Sequence, residues 1–267
     1  MPGTFLAVVQ FDGGRFVGWQ RQPTGRSVQA EFERVLERLA AQRVVAHAAG
    51  RTDAGVHALG LGVSFSLPAR WSAPEAHRAL NALLPADCWV ESVTRMQAGF
   101  HARKSAVSRR YRYDVGTDVA SASPFRRPYE WPLGRALDLA AMRAAAAVVV
   151  GARDFTAFSV RGQLKPHHRC RVLASEWIER PAGRGVSYEV EADRFLHHMV
   201  RMLVGTMVDI GLGRRPPGDM AALLARGDNL ETSPPAPAQG LYFVAAPYPA
   251  ECYAPEPPAP ASVGALP

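Results

Sequence analysis

The stretch Gly50-Arg51-Thr52-Asp53-Ala54-Gly55-Val56-His57-Ala58 sets one carboxylate between an arginine and two glycines, with apolar strand-like runs on both sides. Asp and Gly are ordinary turn formers, and an Asp side chain often does no more than accept from backbone amides two residues on. The neighbourhood gives Asp53 a second reading. Arg51 stands two residues away, Gly50 and Gly55 permit close backbone approach, and a carboxylate near guanidinium groups stays ionised. An ionised Asp suits a nucleophile or a proton-abstracting base better than a proton donor.

Two further segments carry chemistry. Arg109-Arg110-Tyr111-Arg112-Tyr113 alternates at strand period, so Tyr111 and Tyr113 share one face while Arg110 and Arg112 share the other. Guanidinium groups that meet phosphates and rings that stack on unpaired bases suit nucleic acid, and the same alternation also describes a half-buried strand with a solvated arginine face. From Arg194 onward, Leu196, Met199, Val200, Leu203, Met207 and Ile210 form an apolar helical stripe, with Arg194, His197, His198 and Arg201 on a polar flank. Adjacent histidines on a helix point roughly 100° apart, unlike the i, i+4 pair that binds zinc, so no metal site is expected there. The cationic flank reads as an anchor for a buried carboxylate or for phosphate, or as a solvated edge. No Gly-x-Ser-x-Gly elbow accompanies Asp53 and His57, and neither Gly-x-Gly-x-x-Gly nor Gly-x4-Gly-Lys-Ser/Thr occurs. Serine-hydrolase and nucleotide-cofactor chemistry are therefore disfavoured.

The elements that must position these residues follow a pattern that repeats. Thr4 to Phe11 alternates as a strand, Ser27 caps a helix with Val28, Phe32, Val35, Leu36 and Leu39 inward, and Arg43–Ala49 and Leu61–Leu67 read as strands flanking the Asp53 turn. Ser72-Ala73-Pro74-Glu75 is a capping box opening a second helix that Pro85 stops, and Cys88–Thr94 is a strand. After a basic connector, Phe100–Ser108, the β-α-β-β-α-β order returns. Arg109–Val115 is a strand, Ala136–Val150 a helix, Cys170–Glu179 and Val186–Ala192 strands, Phe195–Ile210 a helix and Leu241–Ala245 a strand. The expected fold class is α+β: two ferredoxin-like domains, residues 1–105 and 106–247, joined into a mainly antiparallel sheet with a central cleft. Residues 248–267, rich in Pro and Ala, read as a disordered tail.

Composition narrows the partner. A net charge of +7 points to an anionic one, for which phosphate backbones are the commonest large candidate. The basic residues Arg103, Lys104, Arg109, Arg110, Arg126, Arg127, Arg169, Arg171, Arg214 and Arg215 are candidates for phosphate contact. Cys88, Cys170 and Cys252 form no Cys-x-x-Cys pair, so reduced thiols and no structural metal are expected. No apolar run approaches membrane-spanning length and no signal peptide precedes the first strand, which reads as a cytoplasmic protein without membrane contact.

Gly50–Ala58 resembles the active-site motif of the TruA-type tRNA pseudouridine synthases. Phe11-Asp12-Gly13, Phe16 to Pro23, Leu80-Asn81-Ala82-Leu83-Leu84-Pro85, Phe100-His101-Ala102-Arg103, Tyr111-Arg112-Tyr113, Asp154-Phe155, Phe195 to Gly205 and Gly240-Leu241-Tyr242 extend the likeness over roughly residues 4 to 249. The resemblance implies the pseudouridine synthase fold. It implies Asp53 as the catalytic aspartate, Tyr111 as the ring stacked on a flipped uracil, Arg201 as the partner of Asp53 across the cleft, and Arg51 as the residue that helps hold the nucleotide out of the stack. It further implies tRNA pseudouridine(38–40) synthase activity on the anticodon arm, by a homodimer, with no cofactor and no metal. A non-catalytic RNA-binding module on the same scaffold, or a synthase acting on other RNA positions, are the alternatives. The chain departs from the family pattern at Leu61, at Gly14, over Gln163–Arg169 and over Asp228–Ala238, all outside the Asp, Tyr and Arg set.

Overall fold

In the computed structural model, which describes residues 2–160 and 167–255, local capping starts the first helices as the sequence suggests. Ser27 Oγ accepts from the Ala30 amide at the head of α1 (Val28–Ala40). Ser72 and Glu75 form the reciprocal box at the head of α2 (Ala73–Leu83). Leu84, pressed into the extended region by the following proline, ends that helix. Around them lie β1 (Gly3–Phe11), β2 (His47–Ala48), β3 (His57–Leu67) and β4 (Cys88–Met96). The second half contains β5 (Arg109–Gly116), β6 (Trp131–Pro132), α3 (Leu139–Val149), β7 (Gly151–Asp154), β8 (Arg169–Glu179), β9 (Val186–Ala192), α4 (Met199–Gly211), α5 (Asp219–Arg226) and β10 (Leu241–Ala245).

The fold is α+β, and the ten strands among the described residues make one sheet ordered β4-β1-β3-β10-β5-β9-β8-β7, with β2 on β3 and β6 on β5. Each half keeps the ferredoxin-like order: β4-β1-β3-β2 in the first and β10-β5-β9-β8 in the second. The halves meet where β10 runs parallel to the start of β3, Tyr242 opposite His57 and Phe243 opposite Ala58. Farther along the same edge of β3, β2 pairs His47 with Ser64 and Ala48 with Val63. One strand edge thus serves two partners, which diverge, and Asp53 lies in the chain between β2 and β3. The expected strand Arg43–Ala49 is cut to two residues, and the Ala46 amide and carbonyl are met by the Glu33 and Gln29 side chains of α1 instead of by a strand.

Alternation along β1 sends Phe5, Ala7, Val9 and Phe11 into one large apolar cluster that also holds Phe32 of α1, Leu80 of α2, Met142 of α3, Leu203 of α4 and Leu223 of α5. The helices therefore cover a single face of the sheet. On the opposite face Leu6, Met96, Phe100 and Ala102 form a smaller cluster against which Tyr248 and Cys252 pack. This corrects the expectation of a disordered tail for its first part: Tyr248 meets Phe100 edge-on with ring centroids 5.0 Å apart, and Tyr253 bridges Met96. The rest of the tail, 256–267, lies outside the described residues. Other differences are local. The third helix starts at Leu139 rather than Ala136, capped by the Asp138 carboxylate, and β6, β7 and α5 have no counterpart in the sequence pattern.

His57 ties the seam. Its ring is buried, stacks on Tyr242 at 5.0 Å, accepts the Gly13 amide at Nδ1 (3.1 Å) and sets Nε2 3.1 Å from the Pro128 carbonyl. Those two bonds fit the neutral tautomer with its proton on Nε2. Burial holds the imidazole below its ordinary value of 6.5. As pH falls through that value the unfolded chain takes up a proton that the folded chain resists, so stability present above it is lost on acidification until the folded-state value is reached. His57→Gln removes this titration. The fall in urea midpoint between about pH 7.5 and 5.5 should be smaller in the variant than in the wild type. An equal fall would show that His57 does not carry it.

Candidate functional site

The Asp53 turn is fixed from both sides. The Asp53 carbonyl accepts the Val56 amide at 3.2 Å, the Thr52 carbonyl accepts the Trp19 amide at 3.1 Å, and the Gly55 amide donates to the Phe16 carbonyl at 3.3 Å. Gly18 makes the second contact feasible. It has φ +106°, and a Cβ there would stand 2.6 Å from the Thr52 carbonyl oxygen. The loop bearing Phe16 and Trp19 is braced in turn by Arg26, whose guanidinium lies 4.2 Å from the Phe16 ring centroid and meets both Asp87 oxygens, at 2.5 and 2.9 Å. That pairing holds the Asp87 carboxyl below its ordinary range and raises Arg26.

The turn opens on a cleft of about 1220 Å³ where the halves diverge, lined by Arg51, Asp53, Tyr111, His197, His198 and Arg201 among others. All four residues singled out from sequence, Asp53, Tyr111, Arg51 and Arg201, therefore face one space. Asp53 Oδ2 lies 3.3 Å from Arg201 Nη1 and 3.3 Å from His198 Nε2, while Oδ1 lies 3.3 Å from His197 Nε2. The carboxylate of the first half thus meets three nitrogen groups of the second. Arg51 is exposed on the rim and makes no ion pair with a described residue. Tyr111 is buried, with Phe195 and Phe243 edge-on to its ring at 5.0 Å each. Burial first, and then the Asp53 charge, raises its phenol well above the ordinary value, so it enters the site as a neutral ring.

Arg201 is aimed by a segment that sequence reasoning set aside. Its Nε donates to the Ala236 carbonyl at 2.7 Å, and the Ala236 amide donates to the Arg201 carbonyl at 2.9 Å. Gly205, one helical turn on, leaves room for this, since a Cβ there would stand 2.3 Å from the Pro234 carbonyl oxygen. The Pro234-Pro235 departure, expected to lie outside the site, is thus part of the wall that holds Arg201. The departure over Gln163–Arg169 falls mostly on residues 161–166, which lie outside the described residues.

The histidines correct a second expectation. α4 begins at Met199, not Phe195, and His198 at its N-cap has φ +62°. Arg194, His197 and His198 therefore precede the helix, and the 100° divergence of helical neighbours does not apply. Their rings lie 4.0 Å apart, centroid to centroid, and both reach Asp53. Burial lowers the His198 pKa below its ordinary value of 6.5; the Asp53 charge opposes this, and the charges of His197 and Arg201 add to it.

Of the basic residues expected to meet phosphate, several are engaged elsewhere. Arg109 donates to the carbonyls of Ala49, Ala106, Asp193 and Arg103 and braces the cleft wall. Arg110 pairs with Glu191, Arg126 with Asp118 and Glu130, Arg214 with Asp209 and Arg215 with Asp219. Arg103 and Lys104 line the cleft and form no ion pair among the described residues. They and Arg51 remain the cationic side chains best placed to meet a ligand there.

Comparison with known proteins finds matches over most of the chain. A family model described as tRNA pseudouridine synthase matches residues 7–103 and 145–249. A tRNA pseudouridine synthase A of Myxococcus xanthus is 41% identical over 241 residues, covering 90% of each chain. Proteins of the same name from Geobacillus kaustophilus and Cronobacter sakazakii are each 39% identical, over 94% of this chain and 97% and 92% of their own. No helix among the described residues is long and apolar enough to cross a membrane.

Proposed function

Because the chain belongs to the tRNA pseudouridine synthase family, we propose that it isomerises uridines at positions 38 to 40 of the tRNA anticodon arm, with Asp53 as the reacting group. It is an isomerase of uridine in tRNA. The N1–C1′ glycosidic bond breaks, a C5–C1′ bond forms, C5 gives up a proton and N1 gains one, so no atoms are added or lost.

The observation that carries the assignment of roles is the convergence of Asp53, Tyr111, Arg51 and Arg201 on one cleft. That cleft exceeds the roughly 300–1,000 Å³ of small-ligand pockets and is open, as a polymer substrate requires. Arg201 orients the Asp53 carboxylate for attack on the nucleoside or for proton abstraction from it. Tyr111 offers an uncharged ring against which an everted uracil stacks. Arg51, free at the rim, occupies the space the base vacates or holds its phosphate. Extracting the base costs a few kcal/mol, which stacking and phosphate contacts offset. The division into a domain carrying the Asp53 loop (1–105) and one carrying Tyr111 and Arg201 (106–247), the homodimer and the cytoplasmic setting belong to the same reading.

Mapping pseudouridine in tRNA from cells lacking this protein tests the positional claim. The modification should vanish at positions 38 to 40 and persist elsewhere. Loss confined to sites outside the anticodon arm would reject it.

A further inference from the structure

We propose that Asp53, His197 and His198 form a binding site for a zinc-class divalent cation, and that its occupancy withdraws Asp53 from catalysis. The second clause rests on the role given to Asp53 above; the first does not.

The site exists because of the helix start. With α4 opening at Met199, the left-handed turn at His198 folds two consecutive imidazoles back on one carboxylate instead of spreading them around a helix. One oxygen or nitrogen atom from each of the three residues lies within 4.8 Å of the others. Zinc bonds of about 2.0–2.1 Å to imidazole and carboxylate, at tetrahedral angles, separate neighbouring ligand atoms by about 3.3 Å. Asp53 Oδ1 to His197 Nε2 and Asp53 Oδ2 to His198 Nε2 are each 3.3 Å. The carboxylate stands at that separation from each ring, through a different oxygen for each, and side-chain rotation would draw the three groups onto one metal.

The donor chemistry selects the cation. Two imidazoles and one carboxylate suit zinc and its neighbours in the first transition row, whereas magnesium prefers oxygen ligands in octahedral geometry. Three protein ligands leave a fourth position for water, and the partial exposure of all three side chains leaves a path to the cleft. Arg201 opposes the cation. Its guanidinium shares Asp53 Oδ2, and its Nε is tied to Ala236. Affinity should therefore be weaker than that of a structural zinc site, and binding reversible. A metal on Asp53 occupies the oxygens that would meet the nucleoside.

The test uses the full chain with Cys252→Ser, since Cys252 is half-buried while Cys88 and Cys170 are buried. Titration with cobalt chloride, without RNA, should show one equivalent bound with the visible bands of a tetrahedral ion, displaced by zinc. His197→Asn or His198→Asn should weaken binding at least tenfold, and His101→Asn, at a ring that stacks on His47 at 4.4 Å in the same cleft, should not. Zinc K-edge absorption on the unsubstituted chain should show two imidazoles in the first shell, a result that depends on no variant's folding. Excess zinc should slow conversion of unmodified tRNA at least tenfold, with recovery on adding EDTA. Absence of cobalt binding, binding indifferent to both His197 and His198, or a sulfur-dominated shell would overturn the site. If zinc binds as described but leaves turnover untouched, the inhibitory clause fails while the site stands. If no tRNA is converted under any condition, the synthase reading fails and the cobalt result still decides the site.

Discussion

Asp53→Asn should lower single-turnover pseudouridine formation by at least about 10³-fold while leaving tRNA affinity within a few-fold of wild type. Asparagine keeps the size and one carbonyl oxygen of the side chain, so the Val56 amide bond to the residue 53 carbonyl and the turn itself persist. What goes is the negative charge, and with it both the nucleophile and the proton acceptor. The amide is neutral, which leaves Arg201 uncompensated and the cleft one unit more positive, so phosphate binding should hold or tighten. Asp53→Ala should behave alike in turnover. A non-catalytic RNA-binding module would not need Asp53 at all, and undiminished conversion by either variant would remove it from the chemistry.

Arg201→Met should be the second largest effect, a loss of about 10²- to 10³-fold in turnover with much less change in thermal stability. Methionine preserves an unbranched apolar stem in the wall of α4 but supplies no partner for Asp53 Oδ2 or for the Ala236 carbonyl. Breaking a fully buried pair by removing one member costs about 3–5 kcal/mol. Here the two side chains keep 16% and 24% exposure, and His198 also meets the stranded oxygen, so the loss of stability falls well below that range. Arg201→Lys restores the charge without the fork that binds Asp53 and Ala236 together, and should recover activity only in part. Normal turnover in Arg201→Met would show that the pair across the seam is not what readies Asp53.

The elements that sequence made legible are those whose determinants are local. The Ser27 and Ser72 caps, the alternation of β1 and β5 and the turn at Asp53 depend on residues within a few positions of one another, and they fold as read. Tyr111 and Tyr113 share the buried face as the period of two requires. Long-range competition escaped that reading. Nothing within Arg43–Ala49 tells that Gln29 and Glu33 of α1 will take the backbone groups of Ala46. The role of Ala236 in aiming Arg201 depends on a contact between residues 35 positions apart. At His198 the apolar stripe of α4 continues backward through Leu196 and masks the true helix start. Asp193, directly before Arg194, reads as a cap for that earlier start, but its carboxylate accepts the Arg171 amide instead.

The most direct measurement places tritium at C5 of the uridines of an unmodified tRNA and follows its release on incubation with the purified chain. Each uridine isomerised exchanges its C5–H bond for a C5–C1′ bond, so release counts turnover without a separate product assay. A reaction centred on Asp53 and directed at the anticodon arm predicts one tritium released per pseudouridine formed, all of it from positions 38 to 40, and none with Asp53→Asn. Binding of the tRNA without release, or release that survives the loss of the Asp53 carboxylate, would contradict it.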